Sequence, residues 1–200
     1  MSTIRSRKEL SHERIVEAAA RAIRRSGYHG MGVADIMKEA GLTHGGFYAH
    51  FESREQMLVE AMQRAGRVGT GRLAEYIAAQ EARGECPFAA LVNGYLGDEQ
   101  LDNAEGGCIV AALSSEMPRQ DEAVRDGARL LVLSLIQIVR GALPEGADNA
   151  QADAIAATLV GALQLARTLG GPAGKSLLAR TRKSLLSSQT PHKASPPASP

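Results

Sequence analysis

Two hundred residues, 44% of them apolar and 22% charged, suffice for one large domain or for a small domain joined to a larger one, with a composition ordinary for a soluble globular protein. The net charge of +1 hides an asymmetry: residues 1–72 hold 12 Lys/Arg against 8 Asp/Glu and residues 73–200 hold 11 against 14, so a polyanion would meet the N-terminal part. No charged-then-apolar signal opens the chain, and the most apolar run, Leu130 to Val139, is too short to span a bilayer and is bracketed by Arg129 and Arg140. A cytoplasmic protein is expected, with no membrane association and no structural disulfide between Cys86 and Cys108.

Trp is absent and Phe and Tyr are few, so Ala, Leu, Ile and Val must fill the core, a composition that leans helical. Ser11 precedes a first helix in which Ile15, Ala18, Ala19, Ala22 and Ile23 recur with helical spacing, and Gly27 ends it. After the turn "GYHGMG", Val33 to Ala40 forms a short helix stopped by Gly41. Thr43 can cap a very short third helix ending near Phe51, and Ser53 a fourth with Glu55 and Gln56 in its first turn. That fourth helix is read as one long element with a soft middle, because Gly66, Gly69 and Gly71 interrupt a pattern that Leu73, Tyr76 and Ile77 resume. Its glycines are not a dinucleotide fingerprint, since no strand precedes them.

Further helices are expected over Pro87–Asp102, Gly107–Glu116, Asp121–Leu143, Ala150–Leu169 and Gly174 to about Leu186. The third of these is apolar almost all round in "LLVLSLIQIV", as expected of a helix buried at the centre of a bundle. The Pro- and Ser-rich end of the chain has too little apolar content to fold, so residues 188–200 read as a disordered tail. Nothing reads as a sheet.

A helix, a glycine-containing turn and a short helix together have the look of a helix-turn-helix, whose second helix enters the DNA major groove. "GLTHGGFYAHF" fits that role: Gly45 and Gly46 remove side chains that would hold the backbone away from DNA. Tyr48 and His50 offer donors at the flank, while Phe47 and Phe51 face inward. The plainer reading makes the two glycines a surface loop and the aromatics core. His44 and His50 share no helical face, and no Cys or acidic neighbour completes a metal set there.

The stretch "RIVEAAARAIRRSGYHGMGVADIMKEAGLTHGGFYAHFESREQML", Arg14 to Leu58, closely resembles the DNA-binding domain of the tetracycline-repressor (TetR) family. An Ile- and Ala-rich first helix, a Gly-Tyr turn, Val-x-x-Ile, Ala-Gly-Leu, Tyr-x-His-Phe and a basic residue three beyond the Phe, here Arg54, carry the resemblance. It is similar in particular to a subgroup with Gly-Gly or Gly-Ser before the Phe-Tyr pair. Ile23 departs from the Phe of many members, and Met31 and Gly32 replace the Thr or Ser that would cap the second helix and touch a phosphate. The resemblance implies an all-α protein. An N-terminal three-helix helix-turn-helix domain (1–52) precedes a C-terminal helical regulatory and dimerisation bundle (53–187). It also implies that Thr43, His44, Gly45 and Gly46 approach bases and that Tyr48, His50 and Arg54 hold phosphates. Arg5, Arg7 and Lys8 form a basic arm that either adds backbone contacts or is simply solvated.

The partners so implied are a palindromic double-stranded DNA operator, an unknown small-molecule inducer or electrophile, and a second copy of the chain. The copies would pair through the last two helices, with Ile155, Leu159, Leu163, Leu177, Leu178 and Leu185 among their apolar positions; the alternative is that these fill the monomer's own core. In the second half, "EGGCIVAALSSE" sets Cys108 at a helix start, which favours a thiolate, with Glu105 opposing. This segment too is similar to the subgroup, some of whose members respond to electrophiles or oxidants through a cysteine; a buried cysteine acting as a small hydrophobe is the commoner role. A Cys86–Cys108 switch disulfide needs geometry to judge. No nucleophile with a His/Asp pair, no phosphate loop and no metal cluster appears, so neither an enzyme nor a cofactor is expected. The expectation is a repressor released from DNA by its ligand, the rival being a helical interaction scaffold without specific DNA binding.

Overall fold

A computed structural model describes residues 6–30, 32–103 and 105–188. Arg5, Met31 and the tail from residue 189 onward lie outside the described residues. Among those described there are helices and no strand, and no helix is long and apolar enough to cross a membrane.

Helix α1 (Arg7–Ser26) starts well before Ser11 because Ser6 forms a capping box. The Ser6 hydroxyl accepts from the Glu9 amide at 3.2 Å and the Glu9 carboxylate accepts from the Ser6 amide at 2.6 Å. Two otherwise free donors are thereby satisfied, and Arg7 and Lys8 belong to a helical turn rather than to an arm. The inner face of α1, with Ile15, Ala18, Ala19, Ala22 and Ile23, is buried against α3 (Arg54–Glu81). Between them lie α2 (Val33–Glu39), started at Gly32 with no side-chain cap, and a 3₁₀ helix, His44–Ala49.

Helix α3 runs unbroken through Gly66, Gly69 and Gly71. The glycines make a notch instead of a bend: a Cβ on Gly66 would lie 2.2 Å from Leu131 Cδ2, so the side chain of a later helix occupies the space. The expected helix over Pro87–Asp102 is two, α4 (Pro87–Tyr95) and α5 (Glu99–Asp102). Arg182 supports the break, donating to the Leu96 carbonyl freed at the end of α4 and to Asp98 at 3.3 Å. Helix α6 (Ile109–Leu113) is also shorter than expected and is followed by a 3₁₀ turn, Met117–Arg119. Pro118 sits in the first positions of that 3₁₀ turn, where its missing N–H would be unpaired anyway, and the Glu116 carboxylate reaches the turn after α1, where it accepts from the Tyr28 amide at 3.0 Å.

Helices α7 (Glu122–Ala142), α8 (Asn149–Leu169) and α9 (Gly171–Ser188) complete the bundle. The all-round burial expected of α7 is corrected: Val124, Leu135 and Val139 are buried, but Leu130 and Leu133 are 61% and 55% exposed. Its packing partners, chiefly α3 and α8, leave one face of the helix to solvent. On the last two helices, Ile155, Leu159, Leu163 and Leu178 are buried within the single chain and Leu177 and Leu185 are partly buried, whereas Leu165 and Leu169 are 60% and 55% exposed. The apolar positions named from sequence thus mostly serve the monomer's core, and other residues present the outer face.

The turn after α1 joins the N-terminal helices to the bundle. Gly27 has φ +74° and ψ −179°, a combination essentially confined to glycine, and the Glu116 carboxylate lies 2.6 Å from where its Cβ would be. Arg54 donates to the Tyr28 carbonyl from the other side. Gly27→Ala is expected to lower unfolding free energy by about 1–3 kcal/mol through backbone strain, measured by urea denaturation with an unchanged m-value. Arg54→Ala, which leaves the Tyr28 carbonyl without its charged donor, should cost about 1.5–3 kcal/mol in the same assay; a loss under a few tenths would show that this bond carries no stability.

Candidate nucleic-acid interface and the cavity behind it

The third helical element is 3₁₀, closed by bonds from the Gly46 amide to the Thr43 carbonyl at 3.1 Å and from His50 to Phe47 at 2.9 Å. Thr43 occupies the N-cap position with extended backbone, but its hydroxyl makes no capping bond, contrary to the sequence expectation. Phe47 and Phe51 are buried and stack at 5.5 Å, which fixes the orientation of the element. The opposite side is then outward. Thr43, His44, Gly45 and Tyr48 are exposed together, Tyr48 at 77%, with its ring edge-on to Phe47 at 5.2 Å. A Cβ on Gly45 would meet nothing of this chain within 4 Å, so the fold itself does not require glycine there. Gly46 is half-buried, its missing Cβ facing Met37 Cε at 3.7 Å.

The two remaining residues named for phosphate contact are arranged differently. His50 is half-buried, with a ring centroid 6.0 Å from that of His12, and its Nδ1 is enclosed without a hydrogen-bond partner. Burial, then the neighbouring His12 and Lys8, push its titration below the ordinary histidine range, so it is a neutral edge of the surface and not a cation at neutral pH. Arg54 is engaged with the Tyr28 carbonyl, as described above. The structure therefore groups Thr43, His44, Gly45, Gly46 and Tyr48 on one rim, with His50 and Arg54 turned toward the protein beside it. Arg7 and Lys8 are exposed at the start of α1. Among the described residues no cluster of three His, Cys, Asp or Glu could hold a metal ion.

Away from that rim, α3, α4, α7 and the segment before α6 line a cavity of about 200 Å³. The glycine notch of α3 forms one wall and Leu131, Leu135 and Ile138 of α7 another. Its polar side contains Tyr95, Gln100, Asn103 and Cys108. Cys108 is partly buried at the N-cap of α6, while Cys86 is exposed, and both thiols are free. The Tyr95 hydroxyl is buried beside the Cys108 thiol. Burial foremost, then the adjacent Cys108 thiol, push it well above the usual tyrosine range, with Arg167 acting in the opposite sense. Arg167 donates to the Gln100 carbonyl at 3.1 and 3.0 Å; burial lowers its pKa and the nearby Cys108 and Tyr95 raise it. Glu105, which the sequence set against a thiolate, is taken up by Arg25 at 2.6 Å, and Arg25 also pairs with Glu39 of α2 at 3.1 Å.

Tyr95 and Arg167 were missed in the sequence. Tyr95 falls in helical register with Phe88 and Leu91 and reads as core; Arg167 reads as a basic residue near a helix end. Only their meeting at Cys108 gives them a different meaning.

Residues 15–61 match the family model described as bacterial regulatory proteins, tetR family. An uncharacterised HTH-type transcriptional regulator of Mycobacterium tuberculosis is 27% identical over 196 residues, spanning 91% of this chain and 97% of its own length. The HTH-type transcriptional repressor NemR of Escherichia coli is 26% identical over 123 residues, 62% of each chain, and the crystal structure of its reduced form superposes with a TM-score of 0.64 at 22% identity, covering 86% of this chain and 95% of that one. A TetR transcriptional regulator from Chloroflexus aurantiacus superposes with a TM-score of 0.69 at 23% identity, covering 90% and 94%. The matched N-terminal segment contains the whole exposed rim, and the likeness of fold extends over the bundle behind it. The N-terminal segment is accordingly similar to the DNA-binding domain of TetR-family regulators, and the fold is that of the solved structures it superposes on.

Proposed function

We propose that this regulator is a cytoplasmic homodimeric repressor that occupies a palindromic operator and leaves it when a small molecule or electrophile occupies the cavity at Cys108. The observation that carries the reading is the separation of two surfaces: an outward rim with nothing of the chain covering Gly45, and a cavity elsewhere. The Glu105–Arg25–Glu39 chain of ion pairs gives a change in the cavity wall a route to α1 and α2. Residues 1–52 serve as the DNA-binding unit and residues 53–187 as the sensing and dimerising unit. The Gly-Gly-Phe-Tyr element and the Gly-Cys segment support a place in the corresponding subgroup. Dimerisation uses the outer faces of α8 and α9, where Leu165 and Leu169 are exposed.

On the rim, Thr43, His44, Gly45 and Gly46 approach base edges and Tyr48 meets phosphate, while His50 and Arg54 act at its margin. Base contacts specify sequence and phosphate contacts position the protein. Fluorescence anisotropy with DNA from upstream of the protein's own gene, and with a scrambled duplex, is the test. Wild-type binding should fall steeply with salt. Tyr48→Phe should weaken both duplexes alike, whereas His44→Ala should also lose about 1–3 kcal/mol of discrimination at particular base pairs. Equal losses on both duplexes for both variants would refute this division of roles. Cys108→Ser should bind the operator with unchanged affinity and remain bound when an electrophile is added; release equal to wild type would return Cys108 to the core.

A further inference from the structure

Where α1, α3 and the segment before α6 meet, positive charge outnumbers its partners. Glu17 is taken by Arg64 at 2.9 Å, Glu39 by Arg21 and Arg25 at 3.1 Å each, and Glu105 by Arg25 at 2.6 Å. Arg24 and Arg72 are left with no hydrogen bond or ion pair among the described residues. Arg24 is only 7% exposed, and its Nε and Nη1 are enclosed without an acceptor. A guanidinium does not shed its proton near neutral pH, so a buried one is costly unless an anion answers it. Burial pushes the Arg24 pKa below the ordinary arginine range; Glu17 and Glu105 oppose that shift, and Arg72 and Arg21 add to it.

This uncommitted pair borders the cavity. Arg72 is exposed and lines it. Of the Arg24 nitrogens, Nη2 is the one not enclosed, so an anion reaches it without disturbing the packing of Nε and Nη1. The one lining carboxylate, Glu99, turns its oxygens over Gly97, which is not part of the wall. Most of the remaining wall is aliphatic, from Leu73 and Leu131 to Leu163. A cavity of about 200 Å³ is smaller than the roughly 300–1,000 Å³ of pockets for drug-sized ligands, and somewhat larger than an apolar cavity of about 150 Å³ that holds benzene. It takes one ring or a short chain. An apolar chamber bordered by two unanswered cations is complementary to a small molecule with a hydrocarbon body and one negative end.

We propose that the cavity takes the anion of a small organic acid, its carboxylate bridging Arg24 of α1 and Arg72 of α3 and its single ring or short chain lying among the leucines. The inference rests on the reading of the cavity as the ligand site and adds to it the class of ligand and two residues that hold its charge. A planar carboxylate offers one oxygen to each guanidinium, and such charge-assisted bonds are the strong ones. Binding is reversible and makes no bond to Cys108. Arg24 belongs to the helix on which the N-terminal unit is built, so the acid holds that unit by its charged end while its body lies against α3 and α7. The contact adds a link between α1 and the cavity wall next to the one that Glu105 makes with Arg25.

Isothermal titration calorimetry on the full chain compares benzoate and hexanoate with two controls. Benzyl alcohol keeps the ring and lacks the charge; inorganic phosphate keeps the charge and lacks the body. At least one of the acids should bind once per chain, and about tenfold or more tighter than benzyl alcohol. Phosphate should give no binding heat where the acid saturates. Arg72→Gln and Arg24→Met should each weaken the acid about tenfold, as loss of one charge-assisted hydrogen bond requires, and leave benzyl alcohol within about twofold. Thermal unfolding without ligand separates binding from structure: Arg24→Met removes an unanswered buried charge, so its Tm should equal or exceed that of the wild type. A lower Tm would make Arg24 a structural cation and overturn its role. Benzyl alcohol bound as tightly as benzoate, neither acid bound, or acid binding indifferent to both substitutions overturns the proposal. Phosphate bound as tightly as the acids would reveal a surface anion site only, which overturns the part of the cavity. The titrations contain no DNA, so failure to bind any operator would sink the repressor reading without touching these results.

Discussion

The peptide unit around Tyr28 is held from both sides by residues remote in sequence, and the rest of the structure depends on it. Its amide donates to Glu116, which follows α6, and its carbonyl accepts from Arg54 at the start of α3. The buried ring sends its hydroxyl to Met62 Sδ at 3.1 Å, further along α3. A turn that would otherwise expose two backbone groups becomes the junction between the helix-turn-helix and the bundle. Gly27 makes the junction sterically available by leaving room for the Glu116 carboxylate.

Helix α3 transmits that arrangement. One continuous helix has its first turn beside the exposed 3₁₀ element and its glycine notch in the cavity wall, so the two regions share a stiff element. A parallel connection runs over the surface from Glu105 to Arg25 and on to Glu39. These pairs are partly exposed, and as stability contributions they are worth at most about 1 kcal/mol each. Their significance is geometric: the loop carrying Glu105 also carries Gly106, Gly107 and Cys108, so anything that moves the cavity wall strains a link to both α1 and α2.

The exposed 3₁₀ element shows how packing redistributes roles among residues of similar chemistry. Tyr48 and His50 are two positions apart, yet Tyr48 is exposed while His50 is half-buried beside His12, and burial, then the charges of His12 and Lys8, lower its pKa. Arg54, at the margin of the rim, is bound to a backbone carbonyl. Removing either would alter the local fold as well as the surface, so a loss of DNA affinity on their substitution needs a stability measurement beside it.

The sequence by itself determined the helical class, most helix positions and the identity of the N-terminal unit, because helical periodicity, capping residues and the Gly-Tyr and Tyr-x-His-Phe patterns are local signals. It placed Gly27 and Gly41 correctly at chain reversals, where φ is +74° and +70°. It misjudged the start of α1, since Ser11 and Ser6 are both plausible caps until Glu9 is seen to answer Ser6. Tertiary structure alone decided which face of α7 is wet, that Ile155, Leu159, Leu163 and Leu178 are core, and that Tyr95, Cys108 and Arg167 meet. Burial and long-range neighbours are properties of the packed molecule: an apolar run states that a helix has surface to bury, but only the helices that arrive beside it determine which side is buried and which polar groups meet.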